Sequence, residues 1–184
     1  MRIYNPGNAF CICQNKNKSL KYIVDPWIVS KAYADGWIPP IYAKNPKKLI
    51  KALEDIDFIL ITHIHEDHLD VDFLRLYAGK KTKIIFPRVY GWKYFETISK
   101  KIGIQEQLHI IDFKEKLTVG NLEIKAIQSV NTDSVNTSDK IAEYTLSIDA
   151  GFIVSEKSAS RVAFMADNNP YNHEELKKAF KEIG

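Results

Sequence analysis

Apolar residues fall along the chain in two rhythms. Short runs rich in β-branched and aromatic residues, bounded by turn formers, predict strands, and apolar positions three and four apart predict helices. In the first half, residues 9–14 and 20–24 predict a hairpin across the polar turn Asn15-Lys16-Asn17-Lys18. Asn45-Pro46 supplies an N-cap and a first helical residue, opening a helix to about Leu53. Residues 57–61 (Asp-Phe-Ile-Leu-Ile) predict a buried strand, and 69–77 a short helix with apolar residues at 69, 73, 74, 76 and 77. A strand at 83–87 follows, then a helix over 91–101 with Trp92, Phe95 and Ile98 inward and Gly103 closing it, then a strand at 108–111.

The second half is richer in strands. Residues 117–128 predict two strands around Gly120-Asn121. Residues 144–148 and 152–155 predict a hairpin across Asp149-Ala150-Gly151, and 161–166 a further strand ending at Asp167. Asn172, with Glu175 three residues on, starts a helix over 174–183. Between the two halves of this part runs a polar loop of small residues, 129–139. An early loop, Asp35-Gly36-Trp37-Ile38-Pro39-Pro40, excludes regular structure. Trp27 and Trp37 either wall a substrate pocket or pack this loop onto the sheet.

Chemistry concentrates where the 57–61 strand meets the 69–77 helix. Three of the five histidines lie in His63-Ile64-His65-Glu66-Asp67-His68. In an extended segment His63 and His65 point to one side and can reach one ion. As the chain turns, Asp67 and His68 can face a second ion close by. Imidazole and carboxylate suit zinc, iron or manganese, and no thiolate is near enough in sequence to suggest a closed structural zinc site. Polar residues placed for solubility at a strand end are the competing explanation, and this spacing argues against them.

His-x-His-x-Asp-His after an apolar strand resembles the signature of the metallo-β-lactamase superfamily. The resemblance implies an α/β fold, an αββα sandwich of two halves packed sheet on sheet, with the first two histidines serving one metal and the Asp-His pair the second. Asp25-Pro26-Trp27, the Gly-Trp loop with its prolines, and Asp167-Asn168-Asn169-Pro170-Tyr171 look similar to the metallo-β-lactamase-like part of CMP-N-acetylneuraminate hydroxylase and its stand-alone bacterial relatives associated with sialic-acid-like or surface-polysaccharide sugars. Asp167 stands where the superfamily presents its bridging aspartate. The family's third histidine belongs near the start of 129–139; none is there, and Asp133 is the better of the nearby candidates, Asn131 and Asp133. His173 follows Asp167 too soon to be the last family histidine and reads as a helix N-terminal residue.

Composition sets the remaining bounds. With 184 residues, 45% of them hydrophobic, one domain over 1–184 is expected. The superfamily fold continues with further strands and a helix, so the second half is expected to be C-terminally incomplete. A missing segment or an oligomeric partner would then cover an open sheet edge. The net charge is only +3 and the lysines are scattered, which argues against a nucleic-acid track. No apolar run is long enough to span a membrane, and no signal-peptide pattern opens the chain, so a cytoplasmic location is expected. Cys11 and Cys13 share one strand face and read as small core residues. No pair of Cys-x-His motifs exists to hold a Rieske cluster within this chain.

The function expected from these features is that of a metal-dependent hydrolase with one or two divalent ions, zinc first, iron or manganese as alternatives. Its substrate would be a small molecule, a sugar or nucleotide-sugar derivative. Metal ligands would be His63, His65, Asp67, His68, Asp167 and Asp133; Asp67 would also orient the attacking water or move its proton. Two alternatives stay open: a non-catalytic or regulatory relative, favoured by the absent third histidine, and an oxygenase component similar to the sialic-acid hydroxylase.

Overall fold

The structure is a computed structural model that describes residues 1–40, 46–128, 149–157, 160–167 and 181. The cap at Asn45, the loop 129–139 with Asn131 and Asp133, the strand 144–148, and the helix over 174–183 with His173 lie outside the described residues.

Two sheets form. The first has six strands in chain order: β1 (Arg2–Gly7), β2 (Phe10–Gln14), β3 (Lys21–Val24), β4 (Phe58–Leu60), β5 (Lys83–Pro87) and β6 (Leu108–Ile111). β1 to β3 pair antiparallel and β3 to β6 parallel. The parallel steps are bridged by α1 (Pro46–Ala52), α2 (Val71–Arg75) and α3 (Trp92–Lys101). The second sheet runs β10-β9-β8-β7, all antiparallel, from β7 (Lys116–Val119), β8 (Leu122–Gln128), β9 (Ala150–Glu156) and β10 (Arg161–Phe164).

Alternation along the strands divides the core in two. Tyr22, Val24, Phe58, Leu60, Ile85 and Ile111 face the second sheet and meet Leu122, Ile124, Ala126, Phe152, Val154 and Phe164. Their neighbours Ile23, Ile59, Ile61, Ile84 and Phe86 point the other way, onto Leu53, Phe73, Leu74, Tyr77 and Phe95. A parallel sheet covered on both faces needs apolar residues at every position, which is why the 57–61 run reads as continuous. Cys13 is buried in the inter-sheet core and Cys11 packs at its margin, both as free thiols.

Several boundaries differ from the sequence reading. The predicted turn at 149–151 is instead the start of a strand: Gly151 pairs with Ile127 and Ala150 with Gln128. Turn-forming composition gave way there to the ladder of β8. The 69–77 helix contracts to Val71–Arg75, because Asp70 caps it by accepting from the Phe73 N–H, and Leu76 is turned to solvent. β1 is an edge strand that the polar Asn5-Pro6-Gly7 run concealed. No helix among the described residues is long and apolar enough to cross a membrane.

Candidate metal centre

The site forms at the ends of β3, β4 and β10, where backbone turns away from the sheets. β4 runs straight into Thr62 and His63, both buried. The chain then coils, with the His68 and Leu69 N–H groups donating to the His65 carbonyl at 3.0 and 2.8 Å, so that His68 swings back toward His63. The His63 ring centroid lies 4.4 Å from that of His65 and 4.2 Å from that of His68.

Asp167 closes the constellation from the second sheet. Ala166 before it is left-handed (φ 49), which turns the chain out of β10 toward the histidines. One carboxylate oxygen, Oδ2, lies 3.5 Å from His63 Nε2 and 3.7 Å from His65 Nδ1, while Oδ1 lies 3.3 Å from His68 Nε2. His63 Nε2 and His65 Nδ1 are 2.8 Å apart. Two donors each about 2.1 Å from a tetrahedral ion stand about 3.4 Å apart, so the separations from the imidazole nitrogens to the Asp167 oxygens fit a divalent cation, whereas the two nitrogens of His63 and His65 stand closer, at hydrogen-bonding distance. The ligand atoms of His63, His65 and Asp167 all lie within 4.8 Å of one another. The donor set is imidazole and carboxylate, with no sulfur.

One buried carboxylate orients two of these rings. Asp25, left-handed at φ 43, ends β3 and accepts from the Thr62 N–H and hydroxyl, both at 2.8 Å, and from His68 Nδ1 at 2.9 Å. Because the Thr62 hydroxyl proton goes to Asp25, its oxygen is left to accept from His63 Nδ1, 3.0 Å away. Both imidazoles thereby spend Nδ1 on the scaffold and turn Nε2 inward, the usual division of labour for metal-binding histidine.

Electrostatics follow from this crowding. For His68, burial pulls the pKa down, but the Asp167 and Asp25 carboxylates outweigh it and raise the ring to about 10. Hydrogen bonding to His63 and His68 holds the Asp167 carboxyl well below the usual carboxylate range. In the metal-free chain His68 thus holds a proton that a cation taking its Nε2 would displace.

Asp67 stands beside this group, its Oδ2 3.7 Å from His68 Nε2. Its other oxygen accepts from the Tyr33 hydroxyl at 2.6 Å. Trp27 is not a pocket wall: it is buried, and its Nε1 donates to the Ser30 carbonyl at 2.7 Å, pinning the loop to the core. Trp37 is 56% exposed and packs edge-on against Tyr33 at 5.2 Å, on the side of the loop that reaches Asp67.

Sequence reasoning passed over three contributors. Asp149, read as a turn residue, is buried with Oδ1 3.6 Å from His63 Nε2. Asp25 was visible only as part of a family-like tripeptide, and Tyr33 not at all. An aspartate in a Gly-containing run carries no local sign that it faces inward; only strand pairing brings Asp149 beside His63. His109 is a β6 residue paired with Ile85, with Glu115 3.6 Å from its Nε2.

Comparison with known proteins agrees with the fold. The Beta-lactamase superfamily domain profile matches residues 22–183. Among curated proteins, cytidine monophosphate-N-acetylneuraminic acid hydroxylase of Pongo pygmaeus is 33% identical over 64 residues, 35% of this chain and 11% of that protein. The matches span 16% or less of such relatives' length. Among solved structures, CmlA, a diiron β-hydroxylase from Streptomyces venezuelae, superposes with a TM-score of 0.67 at 20% identity, covering 99% of this chain and 32% of that one. A possible metal-dependent hydrolase from Veillonella parvula superposes with a TM-score of 0.65 at 16% identity, covering 96% and 65%. With its two packed sheets and the His63–His68 run at their ends, the chain belongs to the beta-lactamase superfamily domain family.

Proposed function

We propose that this chain carries the centre of a metal-dependent hydrolase acting on a small molecule, a sugar or nucleotide-sugar derivative. The observation that carries this reading is Asp167, whose two oxygens face His63 and His65 on one side and His68 on the other. That is the arrangement a carboxylate shared between two adjacent cation positions requires. His63, His65 and Asp167 would hold one ion, and His68, Asp67 and Asp167 a second, zinc first with iron or manganese as alternatives. A divalent ion held by these residues would supply a coordinated water with a pKa of about 7 and a Lewis acid for a carbonyl or phosphoryl oxygen.

The chain's own residues supply the rest. Asp67, fixed by Tyr33 at one oxygen, presents the other beside His68 and is placed to orient a water and take its proton. Asp25 and Thr62 keep the His63 and His68 imidazoles from rotating. His65 is 45% exposed, so the centre opens to solvent on its side. Trp37 and Tyr33 offer exposed aromatic surface near Asp67, suited to the apolar face of a sugar ring or to a base. The Veillonella neighbour, a possible metal-dependent hydrolase of the same fold, supports this reading.

A second reading has its own support. Asp67, Asp149 and Asp167 make the centre rich in hard oxygen donors, which suit iron as well as zinc. The diiron hydroxylase neighbour and the hydroxylase relative point to oxygenase chemistry with an external electron donor.

The experiment is metal content of the purified chain by mass spectrometry beside His65→Ala and Asp167→Ala, with a hydrolysis screen over sugar and nucleotide-sugar esters and amides. Zinc near one or two equivalents, lost in both variants, together with turnover, is the expected result. Iron without hydrolysis would move the assignment to the oxygenase. A chain that retains no metal would end the hydrolase reading.

A further inference from the structure

Beyond Asp25, the loop after β3 reaches the metal-ligand run through Tyr33, which bonds the consecutive residues Glu66 and Asp67. Tyr33, Ala34 and Asp35 are consecutively left-handed (φ 54, 53 and 66), a conformation side-chain-bearing residues seldom adopt even singly. The turn is closed by paired backbone hydrogen bonds between Ala32 and Trp37 at 3.0 and 3.1 Å, and by the Gly36 N–H on the Tyr33 carbonyl at 3.1 Å. Lys31 and Asp35 add an ion pair across it at 3.4 Å.

What this backbone achieves is the placement of Tyr33. Its N–H donates to the Glu66 carboxylate, and its hydroxyl donates to Asp67 Oδ1 at 2.6 Å. The Trp37 ring stands edge-on at 5.2 Å and limits rotation of the phenol. Asn8 Nδ2 approaches Asp67 Oδ2 at 3.4 Å and its carbonyl at 3.3 Å, a weaker hold. Oδ1 is therefore committed to Tyr33, and Oδ2 is the oxygen directed at His68 Nε2. Without the phenol hydroxyl, the carboxylate could rotate about its Cβ–Cγ bond and present either oxygen, or neither.

We propose that Tyr33 is a positioning residue whose hydroxyl aims the Asp67 carboxylate at the cation position shared with His68. This rests on the metal-centre reading above. The effect is selective, because among the described residues Tyr33 donates hydrogen bonds to the side chains of Glu66 and Asp67 and none to His63 or His65.

The test is a cobalt(II) titration of the chelator-stripped full chain, followed by the visible absorbance of the bound ion, for the unmodified chain, Tyr33→Phe and Asp67→Asn. Phenylalanine keeps the ring against Trp37 and removes only the hydroxyl. Loss of such an outer partner weakens metal binding roughly 10- to 100-fold. The expected result is that weakening in the second equivalent of Tyr33→Phe, with the first equivalent and the melting temperature unchanged, and a larger loss in Asp67→Asn. Equal affinities in Tyr33→Phe and the unmodified chain, whether for one equivalent or two, would overturn the proposal alone. Equal weakening of both equivalents would also overturn it, since Tyr33 would then be a general support of the fold. Absence of any binding by the unmodified chain would overturn the metal reading and this proposal together.

Discussion

Asp25 Oδ2 lies 2.9 Å from Nδ1 of His68, and both side chains are almost wholly buried. The same carboxylate accepts two hydrogen bonds from Thr62 and through it sets His63. The orientation of two candidate ligands thus depends on an acid that touches no cation position itself. Replacing Asp25 by Ala leaves the Thr62 N–H, its hydroxyl and His68 Nδ1 without their acceptor. We expect a loss of roughly 3–5 kcal/mol in urea denaturation. Asp25→Asn keeps the volume but puts an NH₂ among donors; metal affinity should fall roughly 10- to 100-fold, read by titration of the stripped chain.

Asp70 performs the matching task for the loop. It accepts from the N–H groups of Ile28 and Ser30 at 2.9 and 3.0 Å and from that of Val29, from the Ser30 hydroxyl at 2.8 Å, and from Phe73 N–H at the start of α2. Five donors converge on one buried side chain. Asp70→Ala should cost roughly 3 kcal/mol or more, a cap and several orphaned N–H groups together. Denaturant titration checks this, and a loss below about 1 kcal/mol would show that water replaces the carboxylate.

The two loop tryptophans should separate cleanly. Trp27 fills core space, so Trp27→Ala is expected to cost about 3–5 kcal/mol. Trp37 is exposed, so Trp37→Ala should change stability by less than about 0.5 kcal/mol while raising KM for an aromatic or sugar substrate. Thermal melts of the two variants side by side decide this.

The raised pKa of His68 has a signed consequence for the metal-free chain. A group raised from 6.5 to about 10 contributes stability that is fully present below 6.5 and is lost as pH climbs toward 10. Asp167, held below its ordinary value of 3.8, contributes in the opposite sense: its share is present above that value and is lost as pH falls through the acid range. Melting temperature of the chelator-treated chain should therefore decline between neutral pH and about 10, and a His68→Gln variant should show a flatter profile. A bound cation, by taking Nε2, should remove the same decline.

Much of the fold was readable because its strands are bounded by strong signals. The 83–87 and 108–111 strands were placed to the residue, since both are short apolar runs between polar turns. The hairpin of β2 and β3 and that of β7 and β8 followed from Asn15-Lys16-Asn17-Lys18 and Gly120-Asn121. The strand start at Ala150 was not readable, because Asp-Ala-Gly is turn-like in composition and only pairing with β8 overrides it.

What the sequence by itself determined is the nucleus of the candidate site: His63, His65, Asp67 and His68 at the end of a buried strand, in a spacing that local geometry alone brings together. Ligand candidates within a few residues of one another need no tertiary information, since one strand and one turn place them. What only the tertiary structure decided is everything that acts on that nucleus from a distance. Asp25 reaches His68 and Asp149 reaches His63 across 43 and 86 positions, and Tyr33 reaches Asp67 across 34. Those separations are closed by sheet pairing and loop packing. These depend on the summed burial of both cores, a property no local window of the chain contains.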